Sequence, residues 1–265
     1  RLPSALFTWN APGRMMRLTA AYIPLERSSR FQGTGRWVMA VTLGLLALAC
    51  LNLPAFAHDV SQRNAGYIES ISGIAPIPFL YLGAKHMVTG IDHVLFLIGV
   101  VFFLREFRDI LVYVSLFTLG HSLTLLGGVL GGFHANEYLV DAIIGLSVVY
   151  KAYDNIGGFD TLGGFRIDPK WAVAAFGLAH GTGLATKLQA LAVSDDGLFW
   201  NMISFNIGVE LGQVLVLIFV VSLLNIWRMA NGFERQAWYA NCALMFAGFV
   251  LFGQHFYAFL TNGGG

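Results

Sequence analysis

The sequence predicts an all-α integral membrane protein, a six-helix transmembrane bundle preceded by a signal peptide or an uncleaved N-terminal helix. Three observations carry that expectation. The chain is 56% hydrophobic and only 12% charged over its 265 residues, whereas ordinary soluble domains carry roughly 25% charged residues. Six apolar stretches recur, at about 80–104, 109–130, 137–155, 171–193, 199–226 and 237–260, each near the roughly 20 residues that a helix needs to cross a bilayer. The lysines and arginines fall in alternate connections between those stretches.

Residues 1–57 form a basic segment and a signal peptide. Arg14, Arg17, Arg27, Arg30 and Arg36 precede an apolar run, Trp37 to Leu53, which ends in Pro54 and Ala55-Phe56-Ala57. Basic region, apolar core and an A-x-A end are the pattern of export and cleavage. Cleavage after Ala57 makes His58 the first mature residue. A periplasmic arm follows over 58–78, then the six-span domain over 79–260 and a short tail over 261–265.

Arg105 and Arg108 lie between the first two spans, Lys151, Arg166 and Lys170 between the third and fourth, and Arg228 and Arg235 between the last two. The other connections contain neither lysine nor arginine. Positive-inside bias then places both mature termini outside a bacterial inner membrane, the side to which a signal peptide delivers the N-terminus. The net charge of +1 gives no lean toward nucleic acid. Membrane lipid is the expected surrounding. The Gly- and Phe-rich helices suit contacts with a second copy or a membrane-complex partner as well as they suit internal packing.

Cys50 and Cys242 are the only cysteines, too few for a disulfide framework or a thiolate metal cluster. A metal site in this chain therefore uses imidazole, carboxylate and amide. The stretch Lys85 to Val100 concentrates such groups, with His86, Asp92 and His93 inside an otherwise apolar segment. Ionisable groups within a bilayer are costly, about 2.5–3.5 kcal/mol each on insertion scales, so three together require a function. On one continuous helix His86 and His93 share a face but stand about 10 Å apart at 1.5 Å per residue. One ion cannot touch both on that geometry, which leaves two consecutive sites, or one site with an outer residue above it.

His121 and His180 fall near mid-membrane in the second and fourth spans. In the fifth, Asn206, Glu210 and Gln213 recur at i, i+4 and i+7, one helical stripe. Gly177-x-x-x-Gly181 and Gly208-x-x-x-Gly212 let helices approach closely, and they bracket His180 and Glu210. Borderline cations such as Ni²⁺, Co²⁺ and Zn²⁺ favour imidazole with some oxygen ligation, and the set is too rich in nitrogen for Mg²⁺ or Ca²⁺. His58 as a free N-terminus combines an α-amine with an imidazole, a bidentate chelate. His134 and His255 read as interfacial side chains.

His86-x5-Asp92-His93 resembles the first-helix signature of the HupE/UreJ family of hydrogenase- and urease-associated nickel permeases. It is similar to the His-x4-Asp-His signature of the wider nickel/cobalt transporters. Leu119-Gly120-His121-Ser122 resembles their Leu-Gly-His-Ser segment. Phe176-Gly177-Leu178-Ala179-His180-Gly181 is similar to a second motif, Phe-His-Gly-x-Ala-His-Gly-x-Glu, without its first histidine and with Gly183 in place of the acidic residue. The resemblance covers about 58–260 and implies uptake of a divalent metal across an inner membrane. Beside it, Glu210 is a carboxylate able to replace the acidic residue that span four lacks. The expected path passes His86, then Asp92 and His93, then His121, His180 and Glu210. Two other functions use the same residues: an intramembrane zinc-dependent hydrolase with Glu210 or Asp92 as general base, and a haem-binding subunit with His121 and His180 as axial ligands.

Overall fold

In the computed structural model, residues 71–161, 167–190 and 195–262 are described. Residues 1–57, His58 and most of the arm lie outside them. The described residues form seven α-helices and a 3-10 turn, Gly158–Thr161. The helices are α1 (Pro76–Thr89), α2 (Ile91–Val101), α3 (Phe107–Gly131), α4 (Glu137–Asn155), α5 (Pro169–Gln189), α6 (Leu198–Arg228) and α7 (Phe233–Asn262).

Local chemistry sets most of the boundaries. α1 and α5 open with Pro76 and Pro169 in their first turns, where the missing N–H has no intrahelical partner to lose. Asp168 caps α5 by accepting from Lys170 N–H at 2.9 Å, and Asn136 caps α4 by accepting from Leu139 N–H at 3.1 Å. α3 ends at Gly132, left-handed at φ 66°, whose N–H bonds to the Gly128 carbonyl.

The expected first span, 80–104, is not one helix. It breaks at Gly90 into α1 and α2, whose axes differ by 64°. Val88, Thr89 and Ile91 are β-branched and flank a glycine, a weak local helix sequence. Thr89 also turns its hydroxyl back onto the Lys85 carbonyl at 2.8 Å. Gly90 has an extended ψ of 99°. It donates the last bond of α1, to His86 O at 2.8 Å, and accepts the first of α2, from Val94 N–H at 3.0 Å. Gly90 itself thus keeps both of its backbone bonds across the break.

The helices pack in three close pairs, α1 with α6, α3 with α5 and α4 with α7, each through glycine. A Cβ on Gly83 would strike the Phe205 carbonyl, and one on Gly208 would strike that of Leu80. Gly177 meets Phe117 O, Gly181 meets His121 O, and Gly145 lies against Phe252 N. Side chains this small bring two backbones into direct contact, which is how helices associate where lipid is as apolar as the helices themselves.

By length and composition, α3, α6 and α7 are apolar enough to cross a membrane, and the bent α1–α2 pair makes a fourth if counted as one span. The described residues are thus all-helical with three to four evident spans, where six are expected from the sequence. α4 and α5, which cover the third and fourth stretches, run to 19 and 21 residues but carry charge. Lys187 of α5 binds both oxygens of Asp141 of α4, at 2.9 and 2.8 Å, and Lys151 binds Asp154 at 2.6 Å. Pairing of this kind makes buried ions tolerable and also lowers the apolarity of their helices. Asn155 ties three helices together, donating to Gly99 O of α2 at 2.8 Å and Asn241 Oδ1 of α7 at 2.9 Å.

The glycine seams predict a sharp contrast between two substitutions. Gly208→Ala, with no room beside Leu80, should destabilise by about 1–3 kcal/mol. Gly253→Ala, whose Cβ would meet nothing within 4 Å, should be neutral or stabilise by up to about 1 kcal/mol. Thermal unfolding of both variants in detergent checks the difference.

Candidate metal centre

The break at Gly90 brings together residues that a straight helix would hold apart. The His86 and His93 ring centroids are 4.8 Å apart, and the sequence-derived separation of about 10 Å is corrected by the 64° bend. α3 delivers His121 with its ring 5.9 Å from that of His93. α5 delivers His180 at 4.8 Å from His93. Two groups of donor atoms result, His86/His93/His121 and Asp92/His93/His180. Within each, one ligand atom per residue lies within 4.8 Å of the others. His93 belongs to both.

Burial is nearly complete: Asp92 is 5% exposed, His93 3%, His180 1% and His121 0%. Hydrogen bonds fix which nitrogens can act as donors to a cation. His180 Nδ1 lies 2.7 Å from the Phe176 carbonyl. A carbonyl only accepts, so Nδ1 carries the proton and the lone pair is on Nε2. His93 Nδ1 is 3.0 Å from Asp92 Oδ1. With its N–H given to the carboxylate, His93 also presents a bare Nε2, the carboxylate–histidine arrangement that orients an imidazole toward a metal. His93 Nε2 and both nitrogens of His121 find no hydrogen-bond partner among the described residues. Leaving a buried polar atom unsatisfied costs about 1–3 kcal/mol, so three such atoms side by side call for a common partner.

Glycine is favoured at position 90 by space, since its backbone is ordinary extended chain. A Cβ there would lie 2.9 Å from both His86 O and His93 Nδ1, and 3.2 Å from Asp92 Oδ1. Asp92 stands in the first turn of α2, where the helix dipole favours an anion. Aromatic rings close the centre: Phe117 lies 5.1 Å from His180 and 6.2 Å from His121, and Phe96 lies 5.4 Å from His180. The sequence reading missed these two phenylalanines, although Phe117 stands four residues before His121 and Phe96 three after His93, both same-face spacings.

One expected residue does not join. Glu210 is exposed, while Asn206 and Gln213 are buried. The close contact of Gly208 and Gly212 with α1 sets the rotation of α6. With Asn206 at zero, Glu210 lies about 40° toward exposed Ile207, Leu211 and Val214, and Gln213 about 20° the other way. The carboxylate expected from span five is thus turned outward. Asn206 donates to Met202 O at 3.1 Å, and its buried Oδ1 has no hydrogen-bond partner among the described residues. Gln213 accepts from Thr118 at 2.7 Å. His255, read from sequence as interfacial, instead has Nδ1 3.8 Å from Asp141 Oδ2. His134 is exposed, and His58 lies outside the described residues.

Gly90→Ala is the sharpest probe of this arrangement. It should weaken Ni²⁺ binding by about 10–100-fold, as loss of outer support for a metal ligand does. The protein should stay folded. Equilibrium dialysis of the purified variant against the parent chain measures the change.

The HupE / UreJ protein family model matches residues 62–262, which contain every residue of this centre. No curated protein and no solved structure matches the chain. By the extent of that match, about three quarters of its length, the chain belongs to the HupE/UreJ family.

Proposed function

We propose that this protein is a secondary permease moving a divalent transition-metal cation, Ni²⁺ or Co²⁺, inward across the bacterial inner membrane. His86, Asp92, His93, His121 and His180 serve as its passing ligands. The family match supports a function related to metal transport. The observation that carries the reading is His121, fully buried with both ring nitrogens unsatisfied among the described residues, beside the bare Nε2 of His93. Neutral imidazole with some carboxylate is the donor chemistry of borderline cations.

Donor atoms up to 4.8 Å apart are wider than the roughly 3.3 Å spacing around one tetrahedral ion with bonds of about 2.0–2.1 Å. Two loose, overlapping groups suit a cation that is handed on more than one that is retained. In this reading the bent α1–α2 pair and α3 to α7 make six spans, with both mature termini outside. The membrane potential, negative inside, then favours entry by about 2.3 kcal/mol per charge per 100 mV.

Protons compete with the cation for imidazole, so accumulation should fall as external pH is lowered. In cells lacking their own nickel and cobalt permeases, His121→Ala and Asp92→Asn should each reduce Ni²⁺ or Co²⁺ accumulation at least about tenfold, with unchanged protein in the membrane. Parental accumulation in both variants would overturn the proposal. Stoichiometric zinc surviving chelator washes would favour a zinc-dependent hydrolase instead.

A further inference from the structure

Away from the histidines, an apolar groove of about 490 Å³ runs between α2 and α6 with α7 as its floor. Ile91, Ile98 and Phe102 form one wall, Leu215 and Phe219 the other, and Leu244 lies beneath. Along α6 it extends from Leu215 to Trp227, twelve steps or about 18 Å at 1.5 Å per residue. One leaflet of the hydrocarbon core is about 15 Å deep, half of the roughly 30 Å whole. The groove thus has the length of a single acyl chain lying along its own leaflet.

Its charged end points to the headgroup. Arg228 follows directly on Trp227 and reaches back across the groove, donating from Nη2 to Val101 O at 2.9 Å and Phe102 O at 2.7 Å. Its Nη1 donates to Asn225 Oδ1 at 2.9 Å. All three acceptors are neutral, so the guanidinium keeps its charge. Arg105 stands three residues beyond Phe102, whose carbonyl Arg228 holds, so both cations belong to the same end of the groove. Neither makes an ion pair among the described residues, although Glu106 stands in the same connection and Asp109 in the first turn of α3. Two uncompensated cations beside the end of a leaflet-length apolar groove need an anion that carries a hydrocarbon tail.

We propose that this groove is a binding site for one anionic phospholipid, its acyl chain along α2 and α6 and its phosphate between Arg105 and Arg228. Basic pockets between membrane helices on the cytoplasmic side are suited to such headgroups. The site is separate from the metal centre and stands whether or not the chain carries metal.

Native mass spectrometry of the full chain in a neutral detergent tests this, with phosphatidylglycerol and phosphatidylcholine of the same acyl chains as probes. One phosphatidylglycerol per chain should survive detergent removal in preference to phosphatidylcholine. Arg105→Gln and Arg228→Gln should each cut that preference about fivefold. Arg105 is exposed and makes no hydrogen bond to the rest of the described chain, so its variant decides the matter if Arg228→Gln does not fold. Shortening the acyl chains by five methylenes should weaken retention more than tenfold. Equal retention of the two lipids, a preference unmoved in folded Arg105→Gln, indifference to chain length, or a second copy of this chain covering the groove would each overturn the proposal.

Discussion

Everything in this centre depends on a bend of 64° at one residue without a side chain. A helix that ran straight through Gly90 would spread His86 and His93 along its length. The bend folds the end of α1 toward the start of α2, so that two turns of sequence converge on one point. Gly90 closes one helix with its N–H and opens the next with its carbonyl. The same residue leaves the space into which His93 and Asp92 lean.

The other two histidines arrive by a different device. α3 and α5 touch along Gly120, Gly177 and Gly181, where any Cβ would collide with the opposing main chain. Gly181 lies directly against the carbonyl of His121 and adjoins His180 in sequence. The residues that set the interhelix distance are therefore neighbours of the residues that carry the imidazoles. Local packing and ligand placement are one constraint here, and the Phe117 ring between His121 and His180 adds stiffness to it. The salt-bridged Asp141 and Lys187 hold α4 to α5 on the far side.

Much of this was legible in the residues themselves. Composition gave the helical membrane class, and the apolar runs placed α3 to α7 within a few residues at most ends, because length and hydropathy are local properties. The spacing His86-x5-Asp92-His93 and the buried positions of His121 and His180 singled out the donor set. What could not be read was geometry that depends on partners. The break at Gly90 lies inside a stretch long enough to be read as one span, and a single glycine between β-branched residues does not show that the chain bends there. Glu210 lies on the expected stripe, yet the rotation of α6 is decided by Gly208 and Gly212 against α1, a tertiary fact that turns the carboxylate outward. His255 looked interfacial because Asp141, its neighbour in space, is 114 positions away in the chain. α4 and α5 fall short on apolarity because they carry polar and charged side chains, and a single-helix window cannot register that Asp141 and Lys187 meet across their interface.

The membership of His93 in both donor groups limits how many cations the centre can serve. Its Nδ1 is committed to Asp92, so one lone pair remains for both sets of companions. A dipositive guest using that pair to lean on His86 and His121 deprives the opposite trio of its third member, and the reverse holds equally. For the proposed permease, mutual exclusion of this sort would make the passage a turnstile. Occupancy would saturate at a single ion, and each newcomer would wait for its predecessor to let go of the same nitrogen.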